Sequence, residues 1–244
     1  MRIAIISDIH GNLVAFETVL KEINREKPDQ IVCLGDVAAF GPQPREAIAR
    51  LKSLNCPVVM GNADEELLNP PSLETTDENA RRIAKMATWG AAQLSPSDLG
   101  FIRTFQPTVE VPLNGKMKLL CFHGSPRSNT EIIRATTPDE ELGGILSGFY
   151  ASIMAGGHTH TQMIRRFGET IVMNPGSIGL PYERSWAKKE EIRNPPWAEY
   201  AIISYEKEKL GIELRRVSVD IQAIKQAALQ STMPDAAQWA AGWR

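Results

Sequence analysis

All four histidines of the 244-residue chain stand directly after short apolar runs. Asp8-Ile9-His10 follows Ile3–Ser7, His123-Gly124 follows Leu119–Phe122, and Gly157-His158-Thr159-His160 follows Ser152–Ala155. Two more polar turns, Gly35-Asp36 and Gly61-Asn62, follow Ile31–Leu34 and Val58–Met60. Singly, these pieces have plain readings. Asp-x-His can be a turn with a satisfied histidine, Gly-Asp a tight turn, Asn62 a turn residue and His123 a core histidine. Gly-His-Thr-His says more, because two imidazoles alternate along a short extended segment. Together, imidazole, carboxylate and amide oxygen form a ligand set that suits Mn, Fe or Zn better than Ca or Mg. The set is also larger than one ion needs. Two ions about 3.5–4 Å apart and sharing a carboxylate would use it all.

Those turns need a scaffold that brings them to one place. Leu13, Phe16, Val19, Leu20 and Ile23 recur at helical spacing between the first two apolar runs, and Ala47, Ile48 and Leu51 do so between the second and third. Strand–helix–strand units of this length predict a parallel sheet with right-handed crossovers. In such sheets the loops at the carboxyl ends of the strands gather on one edge, where ligands bind.

The pattern changes between Ala63 and Pro107. Asp77 through Leu94 predicts a long amphipathic helix, with Ile83, Ala84, Ala87 and Ala91 inward and Arg81, Arg82 and Lys85 outward. Ser95-Pro96-Ser97-Asp98 starts another, with a capping serine and proline in its first turn. The segment 63–107 reads either as ordinary surface helices or as a helical cap inserted beside an active site. From Val109 onward strands are expected at Lys118–Phe122, Ser152–Ala155, Met163–Arg166, Ile171–Met173, Tyr200–Tyr205 and Ile212–Val217. They predict an antiparallel-rich sheet packed on the first. Asp220–Ala228 predicts a helix, and Trp239 and Trp243 are expected to pack back onto the domain. No linker divides the chain, so residues 1–244 are expected to form a single α/β domain.

Composition excludes several classes. Twenty-seven basic and 29 acidic residues leave a net charge of −2, so bulk electrostatics do not call for nucleic acid. No window approaches the roughly 18 apolar residues of a membrane span. The first apolar stretch is too short for a signal-peptide core, which predicts no secretion signal. Cys33, Cys56 and Cys121, odd in number and within or beside apolar runs, are expected as free thiols in a reducing cytoplasm.

The ordered set Asp-x-His, Gly-Asp, Gly-Asn, His-Gly and Gly-His-x-His, from Asp8 to about Pro181, resembles the calcineurin-like metallophosphoesterases. Met1–Asn12, Cys33–Pro42 and the Asn174-Pro-Gly-Ser-Ile-Gly turn resemble their small bacterial and archaeal branch. The resemblance implies a layered αββα sandwich, in which two mixed β-sheets pack face to face and are flanked by helices. It implies one metal on Asp8, His10, Asp36 and His160, and a second on Asp36, Asn62, His123 and His158, with Asp36 bridging. Manganese is the expected metal, with Fe, Zn or Ni as alternatives.

The implied activity is hydrolysis of a small-molecule or nucleotide phosphoester, diester or monoester, with metal-activated water as nucleophile and with Asp36 and Asn62 central to catalysis. Asn12, Arg127 and Arg134 are candidate substrate contacts. Their plain readings are a helix cap for Asn12 and solvated surface arginines for the other two. The resemblance has two departures. Branch members often continue the Pro181 turn with Pro-Arg, whereas Tyr182-Glu183-Arg184 follows here. Most members also follow Gly-Asn with His-Asp, a histidine that donates a proton or stabilises the transition state, and this chain has Ala63-Asp64. That loss keeps open a metal-stabilised scaffold for a protein partner. No membrane partner is expected, and a homo-oligomer is left open.

Overall fold

The computed structural model describes residues 1–184 and 192–244. β1 (Arg2–Ile6) leads into α1 (Leu13–Glu26), β2 (Gln30–Cys33) and α2 (Pro44–Leu54). β1 and β2 pair in parallel, from Ile3 opposite Gln30 to Ile6 opposite Cys33. Ile3 through Ile6 are all fully buried, as expected of a strand covered on both faces. The expected third strand at Val58–Met60 shrinks to single bridges, Cys33 with Val58 and Val59 with Gln106. Pro57 before it and Gly61 after it leave little room for a longer ladder.

Three helices follow: α3 (Asn62–Leu68), α4 (Glu78–Gln93) and α5 (Pro96–Ile102). Asp77 caps α4 by accepting from the backbone N–H groups of Asn79 and Ala80, and Ser95 caps α5. Ala84 and Ala87 point inward as expected, joined by Met86 and Gly90. Ile83 does not. It stays 36% exposed and faces a cavity described below.

The remaining elements are β3 (Val109–Pro112), β4 (Lys118–Cys121), α6 (Asp139–Leu146), β5 (Ile153–Ala155), β6 (Met163–Phe167), β7 (Thr170–Asn174), β8 (Glu183–Arg184), β9 (Ile192–Arg193), β10 (Trp197–Glu206), β11 (Lys209–Ser218), α7 (Ile221–Gln230) and α8 (Ala236–Ala241). The expected antiparallel second sheet is corrected in two ways. Its centre, β4-β5-β7, is parallel, with antiparallel edges β3 and β6. The β10–β11 hairpin instead joins the first sheet, giving the order β11-β10-β1-β2. Lys207 and Glu208 at its tip both have positive φ, the backbone that a two-residue hairpin turn requires.

The sheets pack face to face. Ile3, Ile5, Val32 and Ile203 of the first meet Leu119, Cys121, Ile153 and Met173 of the second. Helix α1 buries Phe16, Val19 and Ile23 with Ala4 and Ile6 on the outer face of the first sheet. Helix α6 buries Leu142 and Ile145 with Leu120 and Met154 on the outer face of the second. The result is the expected αββα layering. Trp239 and Trp243 pack onto the body as expected, and the Trp239 indole N–H donates to the Phe40 carbonyl at 2.9 Å. All three cysteines are free, with Cys33 and Cys121 buried and Cys56 half-buried. Among the described residues, no helix is long and apolar enough to cross a membrane.

Candidate metal centre

The polar turns after β1, β2, the Val58–Val59 bridges, β4 and β5 converge on one edge of the two sheets. Backbone hydrogen bonds stitch them together: Asp8 N–H to Gly35 O at 3.0 Å, His10 N–H to Asp36 O at 2.9 Å, and Gly157 N–H to His123 O at 2.7 Å. Asp8, His10, Asp36, His158 and His160 all have left-handed backbone, with φ between 47° and 66°. Each such residue costs of order 1–3 kcal/mol. Strain concentrated on the residues that the sequence singles out is a mark of a functional site. Gly61 and Gly157 are required by close approach, because a Cβ at either would collide with the Asp36 carboxylate or with Ser7 and the Asp8 carboxylate, respectively.

Two groups of ligand atoms form, each with all its atoms within 4.8 Å of one another: Asp8, His10, Asp36 and His160, and Asp36, His123 and His158. Asp36 belongs to both. Its Oδ2 lies 3.6 Å from His10 Nε2 and 3.3 Å from His123 Nε2. Its Oδ1 accepts the Ala63 backbone N–H at 2.9 Å, which fixes the carboxylate plane. The Asn62 side-chain oxygen lies 3.1 Å from His123 Nε2 and so borders the second group.

Three imidazoles are anchored from behind. The Nδ1–H of His10 donates to Ala39 O at 3.0 Å, that of His123 to Leu34 O at 2.8 Å, and that of His160 to Leu180 O at 2.6 Å. Such bonds fix the tautomer and leave Nε2 as the ligand atom.

The arrangement fits a cation. With both Nδ1 atoms committed as donors, the Nε2 lone pairs of His10 and His160 face each other at 3.0 Å. Asp8 Oδ1 is buried without a hydrogen-bond partner, 3.2 Å from His160 Nε2. Its other oxygen accepts from Ser7 Oγ at 2.5 Å and from the His158 N–H at 3.2 Å. Two opposed lone pairs and an orphaned carboxylate oxygen are costly when buried. A divalent ion among them satisfies all three.

The ligand groups shift one another in both directions. Burial pushes the Asp8 and Asp36 carboxyls up, but the surrounding imidazoles outweigh it and hold both below the usual range. Burial, reinforced by His160, pushes His10 down to about 4, leaving it neutral and ready to ligate. His123 runs the other way. Burial is outweighed by Asp36 and Asp8, and it is pushed up to about 10.

Some expected residues are absent from the cluster. Asn12 is buried with both ends of its amide used, Oδ1 capping α1 through Ala15 N–H and Nδ2 donating to Gly179 O. It is placed as a helix cap, fully buried. Arg127 pairs with Glu131, donates to Gly144 O and lines a different cavity. Arg134 is exposed and lines a cavity of ≈760 Å³ beside His158 and Tyr182.

Other contributors were not singled out from sequence. Asp64, fully buried, accepts the backbone N–H groups of Asp36, Val37 and Gly61. Ser177 Oγ donates to Asp8 O, and Asn174 Nδ2 donates to Gly157 O. The Asn-Pro-Gly-Ser turn after β7 was the available signal for the last two. Tyr182 stacks on His160 with ring centroids 4.6 Å apart. The side chains of Glu183 and Arg184 lie outside the described residues.

A layered α/β fold with carboxylate, imidazole and amide ligands gathered at its strand ends defines a protein built around a metal-binding cleft. Residues 1–204 match the calcineurin-like phosphoesterase superfamily domain, and the chain belongs to that family. It is 26% identical over 238 residues to an uncharacterized protein of Methanocaldococcus jannaschii, covering 96% of this chain and 94% of that one. It is 25% identical over 191 residues to phosphodiesterase YfcE of Escherichia coli, covering 74% and 81%. A metallophosphoesterase structure from Sphaerobacter thermophilus superposes with a TM-score of 0.75 at 26% identity, over 99% of this chain and 98% of that one. The structure of Vps29 from Entamoeba histolytica shares the fold with a TM-score of 0.52 at 16% identity, over 90% and 100% of the two chains.

Proposed function

We propose that this chain hydrolyses small phosphoesters with two divalent ions. One ion would be held by Asp8, His10, Asp36 and His160, and the other by Asp36, Asn62, His123 and His158, with manganese the expected metal. The observation that carries the reading is the single carboxylate oxygen, Asp36 Oδ2, turned toward both ligand groups. The phosphodiesterase and metallophosphoesterase relatives support the reaction class. When bound, the ions would activate water and neutralise charge building on the phosphoryl oxygens.

The protein's own part is positioning. Three Nδ1–H bonds aim the imidazoles, the Ala63 N–H orients Asp36, and the Asp64 carboxylate holds the Asp36 backbone in place. The fully buried side chain at Ala63 packs in the core cluster and offers no proton to a leaving group. Helix α4 walls the cleft, so the segment 63–107 acts as a cap that restricts access to the site. Arg134, beside His158, is the remaining arginine candidate for contacting substrate.

The test is turnover of bis(4-nitrophenyl) phosphate by manganese-loaded protein. Hydrolysis that disappears in Asp36→Asn is expected. A loaded wild type without turnover on this ester or on 4-nitrophenyl phosphate contradicts the reading.

A further inference from the structure

The metal-ligand cluster forms only one end of a cavity of ≈620 Å³ that runs outward between α4 and α8. That volume lies within the roughly 300–1,000 Å³ of sites that enclose a whole organic ligand. It is far more than a bare phosphate fills.

Apolar side chains line it beside the ligand cluster: Ile83 and Met86 from α4, Phe40 from the turn after β2, Leu180, and Trp239 from α8. Ile83 breaks the inward pattern of its helix to take this position. Two oxygens of lining residues are buried and lack hydrogen-bond partners among the described residues, Glu66 Oε2 and Asn194 Oδ1. Asn194 is only 8% exposed. Asn194 Oδ1 accepts, and Glu66, whose carboxyl burial and Asp36 push up to about 7, can donate or accept, so a ligand that satisfies both brings hydroxyl or amino groups. Arg82 is the sole cation among the described lining residues, and Asp235 stands 3.9 Å from it. The far end is therefore poorly equipped for a second phosphate.

The C-terminal wall is held in place independently. Trp239 donates to Phe40 O, the Trp89 indole N–H donates to Thr232 Oγ1 at 3.1 Å, and Asn194 and Gly242 are joined through their backbones. Gln238, Trp239 and Gly242 lie beyond residue 204, where the family match ends. This wall of the cavity is thus built from a segment outside the matched domain.

Resting on the phosphoesterase reading, we infer that the α4–α8 cavity binds the organic group of the substrate, an uncharged, donor-bearing ring system of nucleoside size, and that the C-terminal segment sets this specificity. The ring would lie among Ile83, Met86, Phe40 and Trp239, with its hydroxyl or amino groups on Glu66 and Asn194.

Two esters with the same leaving group test it: methyl 4-nitrophenyl phosphate and the 4-nitrophenyl ester of thymidine 5′-phosphate. Wild type should favour the nucleoside ester in kcat/KM by about tenfold or more, the scale of discrimination that pocket contacts provide. Ile83→Trp, which fills the cavity from an exposed position, should cut that ratio back toward one. Calorimetry supplies a readout independent of turnover. Adenosine 5′-monophosphate should bind the manganese-loaded protein more tightly than inorganic phosphate does, and Glu66→Leu and Ile83→Trp should each shrink that advantage. Equal preference for the two esters, or a nucleotide advantage that survives both variants, overturns the inference. If neither ester is hydrolysed, the hydrolase reading fails, while the binding comparison still decides what the cavity accepts.

Discussion

The carboxylate of Asp64 accepts the backbone N–H of Asp36 at 2.8 Å, and through its other contacts it also ties down Val37 and Gly61. One buried side chain thereby locks the turn that carries Asp36, the carboxylate common to both ligand groups, to the start of α3. Asp64→Ala leaves three N–H groups unsatisfied, each costing about 1–3 kcal/mol if it stays buried. The variant should lose several kcal/mol of stability by denaturant unfolding, and partners of this kind typically govern metal affinity by about 10–100-fold. Unchanged stability and metal affinity would remove Asp64 from the site's support.

Loss of metal should register in stability. Without an ion, the facing imidazoles of His10 and His160 and the orphaned Asp8 oxygen remain buried and unsatisfied. A ligand that binds only the folded state adds about 2.7 kcal/mol at a hundred times its Kd. Chelator-treated protein should melt several degrees lower than manganese-loaded protein in calorimetry, and His160→Ala should narrow the gap. Identical melting with and without metal would count against the cluster as a metal site.

Leaving groups provide a third check. Ala63 stands where the family resemblance implies a histidine, and every histidine of the chain is already in the cluster. A positioned general acid contributes typically about 10²–10⁴-fold. Hydrolysis should therefore fall steeply as the leaving-group pKa rises, measured over a series of aryl and alkyl esters where chemistry limits the rate. A flat dependence would mean that another group supplies the proton. Simple restoration by Ala63→His is not expected to be benign, because the site is fully buried and overpacking costs about 1–3 kcal/mol.

Much of the site was legible because its chemistry is concentrated in rare residues at strand ends. Histidine after an apolar run has few reasons to recur, and His10, His123, His158 and His160 all did so. The layering was legible for a related reason, since β1 is apolar on both faces and α1 on one. What stayed hidden depends on tertiary placement. Helical spacing put Ile83 on the apolar face of α4 but could not tell a core from a cavity. Strand patterns located β10 and β11 without saying which sheet they join. Arg127 carried no sign that Glu131 would claim it, and Asn12 looked the same whether it capped a helix or gripped a phosphate.

The central claim is that Asp36 bridges two ions, and manganese titration of metal-free protein followed by electron paramagnetic resonance tests it most directly. The account predicts saturation near two equivalents with a spin-coupled spectrum, and loss of that coupling in Asp36→Asn. Saturation at one equivalent with an isolated-ion spectrum in the wild type would contradict it.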